Sequence, residues 1–291
     1  METAELLKKV RKVEIKTKGL SSRLFAGEYQ SAFKGRGISF SEVREYQPGD
    51  ETRLIDWNVT AKLDHPYIKV FEEDREMNVL LMIDVSGSSS FGTVTQLKEE
   101  LIVELSALIA YSAINNNDKV AVLFFSDKIE KFIPAKKGRS HTLRIIRELL
   151  DFTPQSKGTD LNNAFRFINN VMTKRSIVFV LSDFLSRSYG SMFRIAARKH
   201  DVIGLHIYDD REKQFPAIGM INVIDTESGK QFMMNTSDIH VRTAYAKKFY
   251  DSYNYFITAF RNNGSDYISI STKDNYVKSL MALFEKRVKQ K

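Results

Sequence analysis

The sequence predicts an α/β fold: a mostly parallel, doubly wound sheet with helices on both faces, plus a small N-terminal, partly β appendage and an inserted β-hairpin. Three observations lead there. Val79 to Ile83 is an unbroken apolar run that stops at Asp84, the pattern of a strand buried on both faces inside a parallel sheet. From residue 77 onward such runs alternate with stretches of helical periodicity, as parallel strands joined by helical crossovers require. The first run ends in Asp84, Ser86 and Ser88, three oxygen-bearing side chains at the carboxyl edge, where open α/β sheets hold ligands.

In chain order, residues 3–18 carry a loose apolar stripe (Leu6, Leu7, Val10, Val13, Ile15) that fits a short amphipathic helix. Residues 19–45 are rich in Gly and Ser and read as irregular or strand-and-turn. Pro48-Gly49-Asp50 is a turn, and the alternation from Tyr67 to Glu72 is a strand. Residues 1–75 therefore read as the appendage and 76–291 as the main domain. Within the latter, strand 79–84 precedes a helix over about 96–115, with Leu97, Leu101, Leu105, Leu108 and Ile109 on one face. Strands 120–125 and 129–133 form a hairpin. Helix 141–150, loop 151–160, helix 161–172, strand 177–181, helix 190–199 and strand 201–208 follow. Residues 216–235 read as the inserted hairpin, turning at Glu227-Ser228-Gly229-Lys230. A long helix over 238–262 ends at Asn263-Gly264, strand 267–271 is the last, and helix 273–288 closes the chain.

Composition narrows the function. At 43% hydrophobic and 27% charged, the 291 residues suit an ordinary globular protein. There is no cysteine, which removes disulfides, thiolate metal sites and a cysteine nucleophile. The charged N-terminus shows no signal peptide, and no apolar run approaches the ~20 residues of a membrane span, so the expected address is the cytoplasm. The net charge of +8 gathers partly at the two ends. Without a zinc-knuckle or an RNP-type aromatic motif, it reads as solvated surface rather than a nucleic-acid footprint.

Two further loops bring oxygen donors to the same edge: Lys157-Gly158-Thr159-Asp160 before a helix, and Ser182-Asp183 after a strand. Together with Asp84, Ser86 and Ser88 they make an all-oxygen set suited to a hard divalent cation, Mg²⁺ or Mn²⁺, and not to zinc. Alternation aims positions 84, 86 and 88 inward, and Gly87 permits a tight loop. Neutral hydroxyls as ligands leave much of the ion's charge uncompensated, so a carboxylate from another molecule would complete the octahedron. Asp160 reads as a helix N-cap and Ser126-Asp127 as a strand end without a site. Trp57 reads as a packing anchor for the appendage, Arg44, Arg53 and Asp56 as members of structural ion pairs, and the five histidines as incidental.

Asp84-x-Ser86-x-Ser88 with Thr159 and Asp183 resembles the metal-ion-dependent adhesion site of von Willebrand factor A-type domains. The upstream stretch from Phe40 to Asp50, with Arg53-Leu54-Ile55-Asp56-Trp57 and Ala61-Lys62, resembles the bacterial family called domain of unknown function 58, whose members carry such a domain and are commonly encoded beside MoxR-type AAA+ ATPases. The resemblance implies a von Willebrand factor A-like fold in which Ser86 and Ser88 ligate the cation directly. Asp84 would act through water or as a hydrogen-bond anchor, and Thr159 and Asp183 directly or through water depending on state. It also implies a protein partner that offers an Asp or Glu to the metal, with a MoxR-type ATPase as the leading partner.

Enzyme readings each lack a part. A haloacid-dehalogenase-type phosphatase needs an acid where Ser86 stands, a serine hydrolase needs a Gly-x-Ser-x-Gly elbow, and a phosphate-binding loop needs Gly-x-x-x-x-Gly-Lys-Ser/Thr. The expectation is therefore a non-enzymatic interaction module, with a metal-dependent phosphoester hydrolase using the same cation as the alternative.

Overall fold

The structure is a computed structural model that describes residues 10–15, 29, 32–33, 38–63, 65–73, 76–92, 96–186, 189–225 and 229–289. Two compact units emerge. The smaller is Phe33–Glu76, and the larger joins Met1–Ala32 to Met77–Lys291. The first 32 residues thus group with the large unit and not with the appendage.

In the small unit, β1 (Ile38–Glu45) pairs antiparallel with β2 (Tyr67–Glu73). Between them lies α1 (Trp57–Leu63), a short helix absent from the sequence reading. The expected ion pairs are present. Arg44 grips Asp50 with both guanidinium nitrogens, at 2.9 and 2.7 Å, Arg53 meets Glu51 at 2.5 Å, and Lys69 approaches Asp56 at 3.5 Å. Trp57 corrects the expectation placed on it: at 69% exposed it anchors nothing. Composition marks a tryptophan as worth burying but carries no information on which side of a short helix faces water.

The large unit is built on a six-stranded sheet of β3 (Asn78–Asp84), β4 (Lys119–Phe125), β5 (Ile129–Lys136), β6 (Ile177–Ser182), β7 (Asp201–Tyr208) and, after the hairpin of β8 (Met220–Ile224) and β9 (Gln231–Asn235), β10 (Asp266–Ser271). The order is β10-β7-β6-β3-β4-β5. All pairings are parallel except β4 with β5. Strands buried on both faces need helices on both faces. The connections supply α2 (Lys98–Asn115), α3 (Arg139–Asp151), α4 (Leu161–Val171), α5 (Gly190–Lys199), the single turn α6 (Asp210–Lys213), α7 (Ile239–Asn262) and α8 (Tyr276–Lys289).

Strand alternation divides the core. Leu80, Met82, Leu123, Phe125, Val178 and Val180 pack with Phe165 of α4, Phe193 of α5, and Phe256 and Phe260 of α7. The intervening strand residues, among them Val79, Leu81 and Ile83, point to the other face, as a period of two requires. There Ala107 and Tyr111 of α2 and Ile146 of α3 enclose Val10, within the helical segment 10–15. The rest of the expected helix 3–18 lies outside the described residues, as does the hairpin turn at 226–228. Helix α8 begins at Tyr276, three residues later than periodicity suggested, because Asp274 is taken up in a turn whose carboxylate accepts from the Ser271 N–H at 2.8 Å.

In a sheet of this order the chain leaves β3 in one direction, through β4 and β5, and leaves β6 in the other, through β7 and β10. The crevice between the carboxyl ends of β3 and β6 is the topological switch point, where no crossover covers the sheet edge. The fold therefore designates the ends of those two strands, Asp84 and Ser182-Asp183, as the place for a site.

Candidate functional site

At the end of β3 the chain turns into a single 3₁₀ turn, Gly87–Ser90. Asp84 Oδ1 accepts from the Ser86 N–H at 3.0 Å, which closes the turn from inside. Ser86 Oγ and Ser88 Oγ stand 3.1 Å apart. Asp84, Ser86 and Ser88 are all buried, so the alternation seen in sequence does turn the three side chains inward. Gly87 does so without left-handed backbone: it opens the turn, and its N–H donates to Lys157 O at 2.9 Å. That bond brings the loop carrying Thr159 against the site loop. Immediately after Thr159, Asp160 caps α4 by accepting from the Asn163 N–H at 3.0 Å, as expected.

From β6, the Ser182 hydroxyl donates to Asp84 Oδ2 at 2.6 Å and itself accepts from the Phe184 N–H at 3.0 Å, joining the two strand ends. Asp183 is buried beside them, with the Leu185 N–H reaching Oδ1 at 3.3 Å. Phe184 has φ of +51°, a left-handed conformation that costs a residue with a Cβ about 1–2 kcal/mol. It is held there because its ring is fully buried against Phe256, Phe260 and Tyr189. The strained residue sits immediately after the site carboxylate, as strain at sites commonly does.

Two side chains not foreseen from sequence complete the cluster. Lys98, the first residue of α2, is 1% exposed, and its ammonium lies 3.0 Å from Asp183 Oδ2 and 2.6 Å from Glu212 Oε1. Glu212 arrives on the one-turn helix α6, where Asp209 and Glu212 form a reciprocal capping box. The Asp209 N–H donates to Glu212 Oε2 at 2.8 Å, and Asp209 Oδ1 accepts from the Arg211 N–H at 2.9 Å. The Asp-x-x-Glu spacing directly after a core strand is the signature that could have located it.

Electrostatics follow from this crowding. Burial, and then the charge of Asp183, push the Asp84 carboxyl up to about 6. Burial also pushes on Asp183, but the Lys98 ammonium and the hydrogen bonds from Ser88 and Leu185 outweigh it and hold its carboxyl below the ordinary range. Burial opposes the charge of Lys98, yet Asp183 and Glu212 more than offset this and raise its ammonium well above the usual range. Glu212 is raised, by burial first and by Asp183 as well, with Lys98 pulling the other way.

Asp84, Ser88, Lys98, Ser182 and Asp183 line a small cavity of about 10 Å³, room for one water-sized sphere. Among the described residues no three His, Cys, Asp or Glu side chains converge as a metal cage, so hydroxyls have to complete any donor set. The donors suit a hard cation. Octahedral Mg²⁺ with ligands at ~2.1 Å needs neighbouring oxygens about 3.0 Å apart, and Ser86 Oγ and Ser88 Oγ have that spacing.

The family described as "Protein of unknown function DUF58" matches residues 42–254. The chain belongs to the DUF58 family. Its relatives include Uncharacterized protein Mb1516 of Mycobacterium bovis, 28% identical over 232 residues that cover 79% of this chain and 73% of that protein, and Uncharacterized protein Rv1480 of Mycobacterium tuberculosis, which matches to the same extent. Among solved structures, BatB from Bacteroides thetaiotaomicron is similar at 16% identity and a TM-score of 0.48, over 73% of this chain and 99% of that one. The SpRpn10 VWA domain is similar at 9% identity and a TM-score of 0.38, over 74% and 95%. This DUF58 chain has the α/β architecture expected from its sequence, a mostly parallel, doubly wound sheet with helices on both faces. No helix among its described residues is long and apolar enough to cross a membrane.

Proposed function

We propose that this DUF58 protein is a divalent-cation-dependent protein-interaction module. The observation that carries the reading is the pair of buried hydroxyls, Ser86 and Ser88, set 3.1 Å apart beside Asp84 at the switch point of the sheet. Ser86 and Ser88 would hold Mg²⁺ or Mn²⁺ directly, Asp84 would anchor the loop from behind, and Thr159 and Asp183 would complete the set directly or through water. The bound ion supplies a positive charge that neutral hydroxyls leave largely unspent, and an Asp or Glu of a protein partner is the ligand that such a centre attracts. This chain's residues orient the ion. We assign none of them as a nucleophile, and the role we propose is interaction, in the cytoplasm. The partner we favour, from the family resemblance, is a MoxR-type AAA+ ATPase acting in assembly or maturation of other proteins.

Titration calorimetry with Mg²⁺ and Mn²⁺ tests the site. Wild type is expected to bind one ion, and the Ser86→Ala/Ser88→Ala variant at least tenfold more weakly. Equal binding removes the assignment. Affinity purification with and without EDTA tests the role, with the ATPase expected only when metal is present. Phosphoester hydrolysis that needs Mg²⁺ and vanishes in Asp84→Ala would instead favour the hydrolase alternative.

A further inference from the structure

Lys98 is an expensive residue to keep. Its ammonium is buried, and it stands in the first turn of α2, where the positive end of the helix dipole disfavours a cation. Buried ion pairs seldom repay their desolvation, so a pair retained under both penalties calls for a role other than stability. The surroundings are built to hold it. Glu212 accepts from Lys98 through Oε1 while its Oε2 is fixed by the Asp209 N–H, and the Lys98 N–H itself bonds to Phe91 O at 3.0 Å, tying the start of α2 back to the site loop. Where Gly92 lies, a Cβ would meet Leu97 Cα at 2.7 Å, so only glycine lets the loop return this closely.

The consequence falls on Asp183. Its Oδ2 is engaged by the Lys98 ammonium and its Oδ1 by the Leu185 N–H. An ammonium has donors only and cannot ligate a metal. The same ammonium also lines the small cavity beside Ser88 and Asp84, where it opposes an incoming cation. We propose that Lys98 is a positioning residue that holds Asp183 outside the inner coordination sphere of the cation, so that the ion stays weakly held and open to a partner's carboxylate. The inference rests on the cation reading given above. Lys98 and Glu212 thereby form a tether: Glu212 keeps the ammonium in place, and the ammonium keeps Asp183 one shell away.

The Lys98→Met/Glu212→Gln double variant removes the ammonium together with the carboxylate that holds it and leaves Asp183 free of its tether. The probes are Mg²⁺ and Mn²⁺ alone, by calorimetry, with water-proton relaxation counting the waters on bound Mn²⁺. The double variant is expected to bind Mn²⁺ at least about tenfold more tightly than wild type and with one water fewer, because Asp183 enters the inner sphere. A change of packing alone would not move the water count. Lys98→Gln, whose amide still donates to Asp183, serves if the double variant does not fold, and is expected to bind more tightly through loss of charge with the water count unchanged. Binding by either folded variant that is no tighter than wild type overturns the inference while leaving the cation reading intact. Binding by the double variant but not by wild type overturns both the inference and the cation reading, because the ammonium then stands in the ion's place. Absence of binding from both sinks the cation reading and this inference together.

Discussion

Phe184 concentrates the physics of the site in one residue. Its backbone is left-handed and its ring is fully buried, with Phe256 4.3 Å away between ring centroids. Deleting a buried phenylalanine ring costs about 3–5 kcal/mol, whereas the strain it carries is about 1–2 kcal/mol. Packing therefore wins, and the strained turn that presents Asp183 is held in place by the aromatic core beneath it. Two truncations separate the effects. Phe184→Ala and Phe184→Gly both lose the ring, but only glycine relieves the backbone. Urea denaturation is expected to show both variants less stable than wild type, with glycine the better of the two by about 1 kcal/mol. Alanine equal to or better than glycine would mean that the left-handed conformation stores nothing.

At the scale of elements, the approach of α7 to the sheet is set by one missing side chain. A Cβ on Gly204, midway along β7, would come within 2.7 Å of the Phe260 ring and 2.8 Å of the Phe256 ring. Gly204→Ala is accordingly expected to lower the unfolding free energy by about 1–3 kcal/mol, seen as a shift in the urea midpoint with an unchanged slope. An unaltered midpoint would show that α7 is free to slide outward. This contact also explains what sequence patterns reach and what they miss. Sequence could bring Asp84, Ser86, Ser88 and Asp183 to one sheet edge because Asp84 ends one apolar run, the two serines follow it closely and Asp183 lies just past the end of another. Gly204 inside β7 gave no sign of the two rings above it. Lys98 and Glu212 lie 114 residues apart, so their pairing is a product of topology. A lysine at a helix start reads locally as a solvated charge, and only the capping pattern from Asp209 to Glu212 hinted that α6 existed. Trp57 failed for the opposite reason: its type suggested burial, and nothing local set its direction.

Across the whole large unit, the strands and their mostly parallel pairing were legible because parallel strands must be fully apolar and crossovers must be long, whereas their order in the sheet comes from the structure. What pattern could not supply is how the buried polar groups shape the response of the fold to acid. His206, on β7, is 2% exposed and ringed by Phe184, Tyr208, Phe249, Tyr253 and Phe256, with Nδ1 3.2 Å from Ser269 Oγ. Burial pushes its imidazole down to about 3; the charge of Asp183 acts the other way, and Lys98 and Lys213 add to the lowering. Between pH 3 and the ordinary histidine value of about 6.5, the unfolded chain therefore holds a proton that the folded chain refuses. With more protons bound in the unfolded state, stability rises with pH across that window and is lost as pH falls through it, by about 1.4 kcal/mol per unit for this one group. His206→Phe removes the titration and keeps a ring of similar size. Comparing urea midpoints at pH 6.5 and pH 5.0, wild type is expected to lose about 2 kcal/mol more than His206→Phe. Equal losses would show that the imidazole takes up its proton within the folded core.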